Sequence, residues 1–138
     1  MKDNIQEAII EEFSIFDEWL DKYDYLIELS DTLPAIADEH RTDNYVIKGC
    51  QSRVWVDARL EDGKVYFAAD SDAIITKGII ALLIRVMNGR TAAEAAAIDL
   101  YFIDAIGLGE NLSPTRSNGL RAMIQQMKLY ALVFSKQQ

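Results

Sequence analysis

Thiol chemistry in this chain rests on a single residue. Cys50 is the only cysteine among 138 residues and lies within "IKGCQSRVWV", residues 47–56. Gly49 precedes it and Gln51 and Ser52 follow, all turn formers. Gly49 lets the backbone bend sharply, so the thiol is expected at a loop tip and not inside an element. A free cysteine is more often a small, inert hydrophobe buried in a core, and this context points the other way. Lys48 and Arg53 flank the segment and would favour the thiolate, which is the nucleophilic form. With a base such a thiolate could serve as a hydrolytic nucleophile, and the only imidazole is His40, in the preceding loop. It cannot cycle an internal disulfide, because no second thiol is present to resolve one. What one thiol can do alone is accept a group and hand it on.

The other chemistry-bearing stretches are weaker. One Cys and one His cannot supply a zinc site or hold an iron–sulfur cluster. Asp70, Ser71 and Asp72 look like metal ligands on paper, but they sit where a helix should begin, and capping by Ser71 or Asp70 explains them better. Arg116 follows Ser-Pro-Thr at a helix start, where the helix dipole disfavours a cation, so it is expected to have a partner or a ligand. "GLGENLS" (107–113) matches no phosphate loop, since neither a preceding strand nor a GK[ST] ending is present.

Composition narrows the setting. Half of the residues are hydrophobic and only two are prolines, which excludes a disordered chain. Residues 1–138 read most simply as one domain. The net charge is −8, and residues 1–43 hold 13 acids against three bases. Such a surface repels nucleic acid and anionic lipid, so neither is expected as a partner; it suits solubility or docking onto a basic protein patch. The apolar run "IIALLIRVM" (79–87) is interrupted by Arg85 and is too short to span a bilayer. The acidic start "MKDNIQEAII" does not read as a signal peptide. The expectation is a soluble, cytoplasmic protein.

These residues must be positioned by a mixed set of elements. Ile5, Ile9, Phe13 and Phe16 recur at helical spacing, and after a break near Asp17 so do Trp19, Tyr23, Leu26 and Ile27, ending near Ser30. Residues 31–44 contain Pro34 and no stable period, and read as a long loop. From Tyr45 the period becomes two: "YVIK" is a short strand candidate. In "RVWVDARLE" (53–61) Val54, Val56, Ala58 and Leu60 share one face. Asp62-Gly63 predicts a tight hairpin turn into "KVYFAAD". A helix to about Asn88 follows, stopped by Gly89. "TAAE" (91–94) is a capping box, and "DLYFIDAIG" reads as another helix. Ser113 and Pro114 open a last helix faced by Leu120, Met123, Ile124, Met127, Tyr130 and Phe134. The layout is α+β: two N-terminal helices, a small three-stranded antiparallel sheet, then several helices packed on one sheet face.

Three motifs in this order carry a resemblance: "GCQSRVW" (49–55), "DSDAIITKGIIALL" (70–83) and "LSPTRSNGL" (112–120), with "YDYLIELSDTLP" (23–34) fitting the same pattern. Together they resemble the SufE/CsdE family of sulfur acceptor proteins over nearly the whole chain, although Lys48 and Arg53 are not part of the family's pattern. The resemblance implies the fold shared by SufE-like and IscU-like proteins. It implies that Cys50 carries a persulfide taken from a pyridoxal-phosphate cysteine desulfurase (SufS/CsdA-like), that it stimulates that enzyme, and that Gly49, Gln51 and Ser52 shape its loop. Arg116 and Asp72 would contribute to the cysteine environment or the partner surface. Sulfur would pass to an iron–sulfur scaffold complex (SufBCD-like) or another sulfur acceptor. The pyridoxal phosphate belongs to the partner, so no cofactor is expected on this chain, and it would not be an independent catalyst. The resemblance also implies a resting loop tucked against an apolar cavity. The rivals are an IscU-like scaffold, which lacks the cysteines it would need, a protein-binding module with an incidental thiol, and a Cys50–His40 hydrolase.

Overall fold

The structure, a computed structural model, describes residues 3–34, 36, 38–40, 46–47, 53–112 and 114–137. Two helices open it, α1 (Asn4–Ser14) and α2 (Trp19–Leu29), followed by short 3-10 turns at Ser30–Thr32 and Asp38–His40. The strands β1 (Val54–Glu61) and β2 (Lys64–Ser71) form a hairpin, α3 (Ile74–Met87) follows, and β3 (Arg90–Thr91) returns to the sheet. Three short helices, α4 (Ala92–Ala97), α5 (Phe102–Ala105) and α6 (Leu108–Asn111), lead to the long α7 (Pro114–Gln137). This is the expected α+β order.

The sheet has the strand order β1-β2-β3, antiparallel throughout. Its third strand is Arg90–Thr91 and not the 45–48 segment, which among the described residues contributes one bridge, Val46 to Trp55. A two-residue strand offers too little period-two pattern to read. It forms because Gly89 takes φ 81° and donates its N–H to the Val65 carbonyl, turning the chain back along β2 after α3. The hairpin turn is as its sequence predicts. Asp62 (φ 53°) and Gly63 (φ 78°) are both left-handed, which matches the twist of the flanking strands.

Register sorts the two sheet faces. The pairs Val54–Ser71, Val56–Ala69, Ala58–Phe67 and Leu60–Val65 point inward, while Trp55–Asp70, Asp57–Ala68 and Arg59–Tyr66 point out. The inner face receives α3, nearly all of which is buried, from Ile79 through Ile84 to Met87. A helix apolar on every side needs cover on every side, and α2 with α1 supplies it away from the sheet. On α7, Leu120, Met123 and Met127 are buried with Ala131, and the helix packs on α4 and the sheet, where the Tyr130 hydroxyl donates to the Val56 carbonyl at 3.1 Å.

Three further expectations change. Ile27, expected on the buried face of α2, is 38% exposed. Ile5 is 37% exposed, and Gln6 is the buried neighbour at 1%. The Gln6 amide donates to the Asp99 carbonyl at 3.0 Å and accepts the Phe102 N–H at 3.1 Å, so its polar atoms are satisfied inside. Neither Ser71 nor Asp70 caps α3, whose N-cap is Ala73 without a side-chain bond. Both acids and the serine are used at the end of β2 instead. The capping box at Thr91 and Glu94 is present. Pro114 is the first residue of α7, and the Ser113 cap lies outside the described residues.

Candidate functional site: the base of the Cys50 segment

Residues 48–52, and with them Cys50, Lys48, Gly49, Gln51 and Ser52, lie outside the described residues; the anchors on either side are described. On the incoming side Ile47 is 5% exposed and donates its N–H to the Val54 carbonyl at 2.8 Å. Val46 bridges Trp55 one step further from the loop. The incoming chain is thus paired antiparallel to the start of β1.

On the outgoing side both backbone groups of Arg53 are bonded. Its N–H donates to Asp72 Oδ1 at 3.0 Å, and its carbonyl accepts the Ser71 hydroxyl at 2.8 Å and the Asp72 N–H at 3.2 Å. Ser71 Oγ also accepts the Ala73 N–H at 3.2 Å. Asp70 Oδ1 accepts the Ser71 N–H at 2.8 Å and lies 3.5 Å from the Lys77 ammonium. Ser71 is buried while Asp72 is exposed. The knot therefore has a dry half and a half that water or another protein can reach. The exposed half is the one whose bonds exchange at least cost.

The knot sits on α3, and α3 is held at two further points. A Cβ on Gly78 would stand 2.1 Å from the Leu26 carbonyl oxygen, so the two helices approach as only glycine permits. Near its other end Arg85 grips Glu12 through its two terminal guanidinium nitrogens, one contact at 3.0 Å, and the Tyr25 hydroxyl donates to the same carboxylate at 2.5 Å. The Arg85 hydrogen bond outweighs partial burial and holds the Glu12 carboxyl below its ordinary range, with Tyr25 adding to it. Burial first, and then the Glu12 carboxylate, pushes the Tyr25 hydroxyl up to about 12.

Of the residues singled out by sequence, Asp72 falls at the loop base and acts on the backbone of Arg53. Arg53 contributes through its main chain, and its side chain is exposed. Arg116 is exposed near the start of α7. His40 ends the Asp38–His40 turn, and the proposed Cys50–His40 pair lies outside the described residues. Sequence reasoning assigned Ser71 to the start of α3 instead of to Arg53, and it passed over Gly78. The signal for Ser71 was a small polar residue on the inward-facing phase of a strand; for Gly78 it was a glycine inside an otherwise apolar helical run. Among the described residues no group of three or more His, Cys, Asp or Glu could hold a metal ion. No helix of the described residues is long and apolar enough to cross a membrane.

Fold and site together define an α+β domain whose first long strand is clamped at its start, by Ile47 on the incoming side and by the Arg53 bonds on the outgoing side. Residues 7–131 match the family model of the SufE domain, the Fe-S metabolism associated domain. The chain is 41% identical over 132 residues to an uncharacterized SufE-like protein of Rhizobium etli, covering 92% of this chain and 89% of that protein. It is 39% identical over 127 residues to an uncharacterized SufE-like protein of Rhizobium meliloti, covering 88% and 91%. The solution structure of a hypothetical protein from Thermus thermophilus superposes with a TM-score of 0.80 over 99% of each chain, and at 21% identity it shows the fold alone. This chain belongs to the SufE family, and its role lies in iron–sulfur metabolism.

Proposed function

We propose that the chain is a sulfur acceptor: Cys50 takes persulfide sulfur from a cysteine desulfurase, stimulates that enzyme by clearing its persulfide, and relays the sulfur to iron–sulfur cluster assembly. The observation that carries this reading is the pairing of one cysteine in the whole sequence with a segment anchored on both sides, at Ile47 and at Arg53.

The reaction is thiol–disulfide exchange in form. The Cys50 thiolate attacks the terminal sulfur of the donor persulfide, the donor's sulfur–sulfur bond breaks, and the donor cysteine leaves as thiolate. The proton stays on the transferred sulfur, and the Cys50 persulfide is the product. No oxidant is consumed, because the transferred sulfur arrives already at the persulfide level. A receiving thiolate repeats the step on the Cys50 persulfide. Each transfer asks for one reachable thiol and a docking surface, and the pyridoxal phosphate that generates the first persulfide belongs to the donor. One cysteine and one histidine are too few to hold a cluster, which favours a carrier over a scaffold.

The test is Cys50→Ser in a desulfurase assay that follows alanine production. The variant is expected to lose all stimulation while keeping the wild-type thermal midpoint. Full stimulation by the serine variant would remove the carrier role.

A further inference from the structure

The most exposed large apolar side chains among the described residues sit at one corner, Ile15 at 75% and Leu20 at 68%. Ile15 directly follows α1 and Leu20 lies in the first turn of α2. Single exposed hydrophobics on a frayed end need no explanation. This corner is braced. The Phe13 ring meets Tyr25 edge-on at 5.1 Å, Phe16 lies 5.3 Å from the same Tyr25, and Trp19 packs on Tyr23 at 5.3 Å. The Glu12–Arg85–Tyr25 cluster ties that base to α3. Two apolar side chains are therefore held out to water by a preorganised support, which lowers the ordering cost of docking.

The charges around them share one sign. Asp17, Glu18, Asp21 and Asp24 are exposed, and among the described residues none of them forms an ion pair. Lys22 is the only base between residues 3 and 34, and it is turned inward. Its ammonium donates to the Ile106 carbonyl at 3.2 Å and stands 5.4 Å from the Trp19 ring centre. The corner is an apolar knob bordered by uncompensated carboxylates, on a chain of net charge −8. Local and overall charge both select a basic counterpart.

Its place in the fold separates it from the Cys50 anchors. Arg85, which grips the corner's support, and Ile74, which follows the Ser71–Asp72 knot, are roughly 16 Å apart along α3 at the usual helical rise. The corner's support and the knot thus meet α3 at opposite ends. For a carrier this matters: contact through the sulfur segment alone must break at each handover, whereas a second contact with the same donor makes the next encounter intramolecular and raises its effective concentration.

Resting on the sulfur-acceptor reading, we infer that the Ile15–Leu20 corner is a second docking surface, taking a basic, apolar-notched surface of the cysteine desulfurase that charges Cys50. The test is titration of the full chain against the purified desulfurase at low and at physiological salt, with Ile15→Ser/Leu20→Ser and Asp17→Lys/Asp21→Lys variants whose thermal midpoints match wild type. The apolar variant is expected to bind about tenfold more weakly or worse. The charge-reversed variant is expected to associate about tenfold more slowly at low salt and to lose the salt dependence of association. Transfer to Cys50 at saturating desulfurase stays at the wild-type rate for both. Wild-type affinity in both variants overturns the inference. So does loss of self-association in sedimentation with desulfurase binding intact, which would make the occupant a second copy. A wild-type chain that binds through this corner but receives no sulfur supports the docking surface and removes the carrier role, so the two failures are distinguishable.

Discussion

The β1–β2 hairpin closes differently at its two ends. At one end Glu61 pairs with Lys64 across two left-handed residues, and the closure is all backbone geometry. At the other end the ladder stops at Val54–Ser71, and beyond it the Ser71 hydroxyl and the Asp72 N–H donate to the Arg53 carbonyl while the Arg53 N–H donates to the Asp72 carboxylate. A tight turn admits one register and can present nothing. An end fastened partly by side chains can exchange those bonds for others while its backbone bond stays made. The first end is closed by a turn and the second borders the Cys50 segment, and α3 packs behind both through β2.

Because α3 supports both ends, Gly78→Ala is expected to erase the difference between them and to have the largest effect. The added methyl must push α2 off α3, at a cost of about 3 kcal/mol or more. Urea unfolding would show it, and sulfur transfer would be lost with the fold. Gly63→Val strikes the tight end alone. A β-branched residue at φ 78° should cost about 1–2 kcal/mol, with transfer by the folded protein unchanged. A slowed transfer in that variant would mean that the two ends are coupled.

Asp72→Ala strikes the other end. The orphaned Arg53 N–H is exposed to water, so stability should fall by only about 0.5–1.5 kcal/mol. The rate of Cys50 alkylation by iodoacetamide should rise severalfold. Unchanged alkylation would show that the Asp72 bond does not restrain the segment. The smallest effect is expected from pH. Glu12 has a folded pKa below its unfolded value of 4.5, so its contribution is present above that value and is lost as pH falls through the folded one. The stability gap between wild type and Glu12→Gln should close in urea titrations run from pH 6 to pH 3. Tyr25 runs the other way: its contribution is complete below 10 and fades as pH rises toward about 12.

How much of this was legible in the sequence depends on the range of the interaction. The Asp62-Gly63 turn, the Thr91–Glu94 capping box and the alternation of Val54 and Val56 are settled within a few residues, and each was read correctly. The third strand was not, because Arg90–Thr91 owes its pairing to where α3 delivers the chain and not to a pattern of its own. Gln6 in the core and Ser71 on Arg53 were missed for a related reason. Each is a polar side chain satisfied by backbone far away in sequence, at Asp99 and Phe102 or at Arg53. Periodicity assigns faces by polarity and cannot see such a partner. Asp72 was singled out through the family motif, and its bond to Arg53 supplies the physical reason for placing it beside the Cys50 segment. For Cys50 the informative signal was composition: with one thiol in the chain, reactions that need two are excluded.

The most direct test of the carrier role is intact-mass analysis of the chain after incubation with a cysteine desulfurase, pyridoxal phosphate and cysteine, followed by peptide mapping. A gain of one sulfur atom is expected, located on Cys50, removed by reductant and absent from Cys50→Ser. A wild-type chain that leaves the same incubation with its mass unchanged, while the desulfurase itself holds a persulfide, would contradict it.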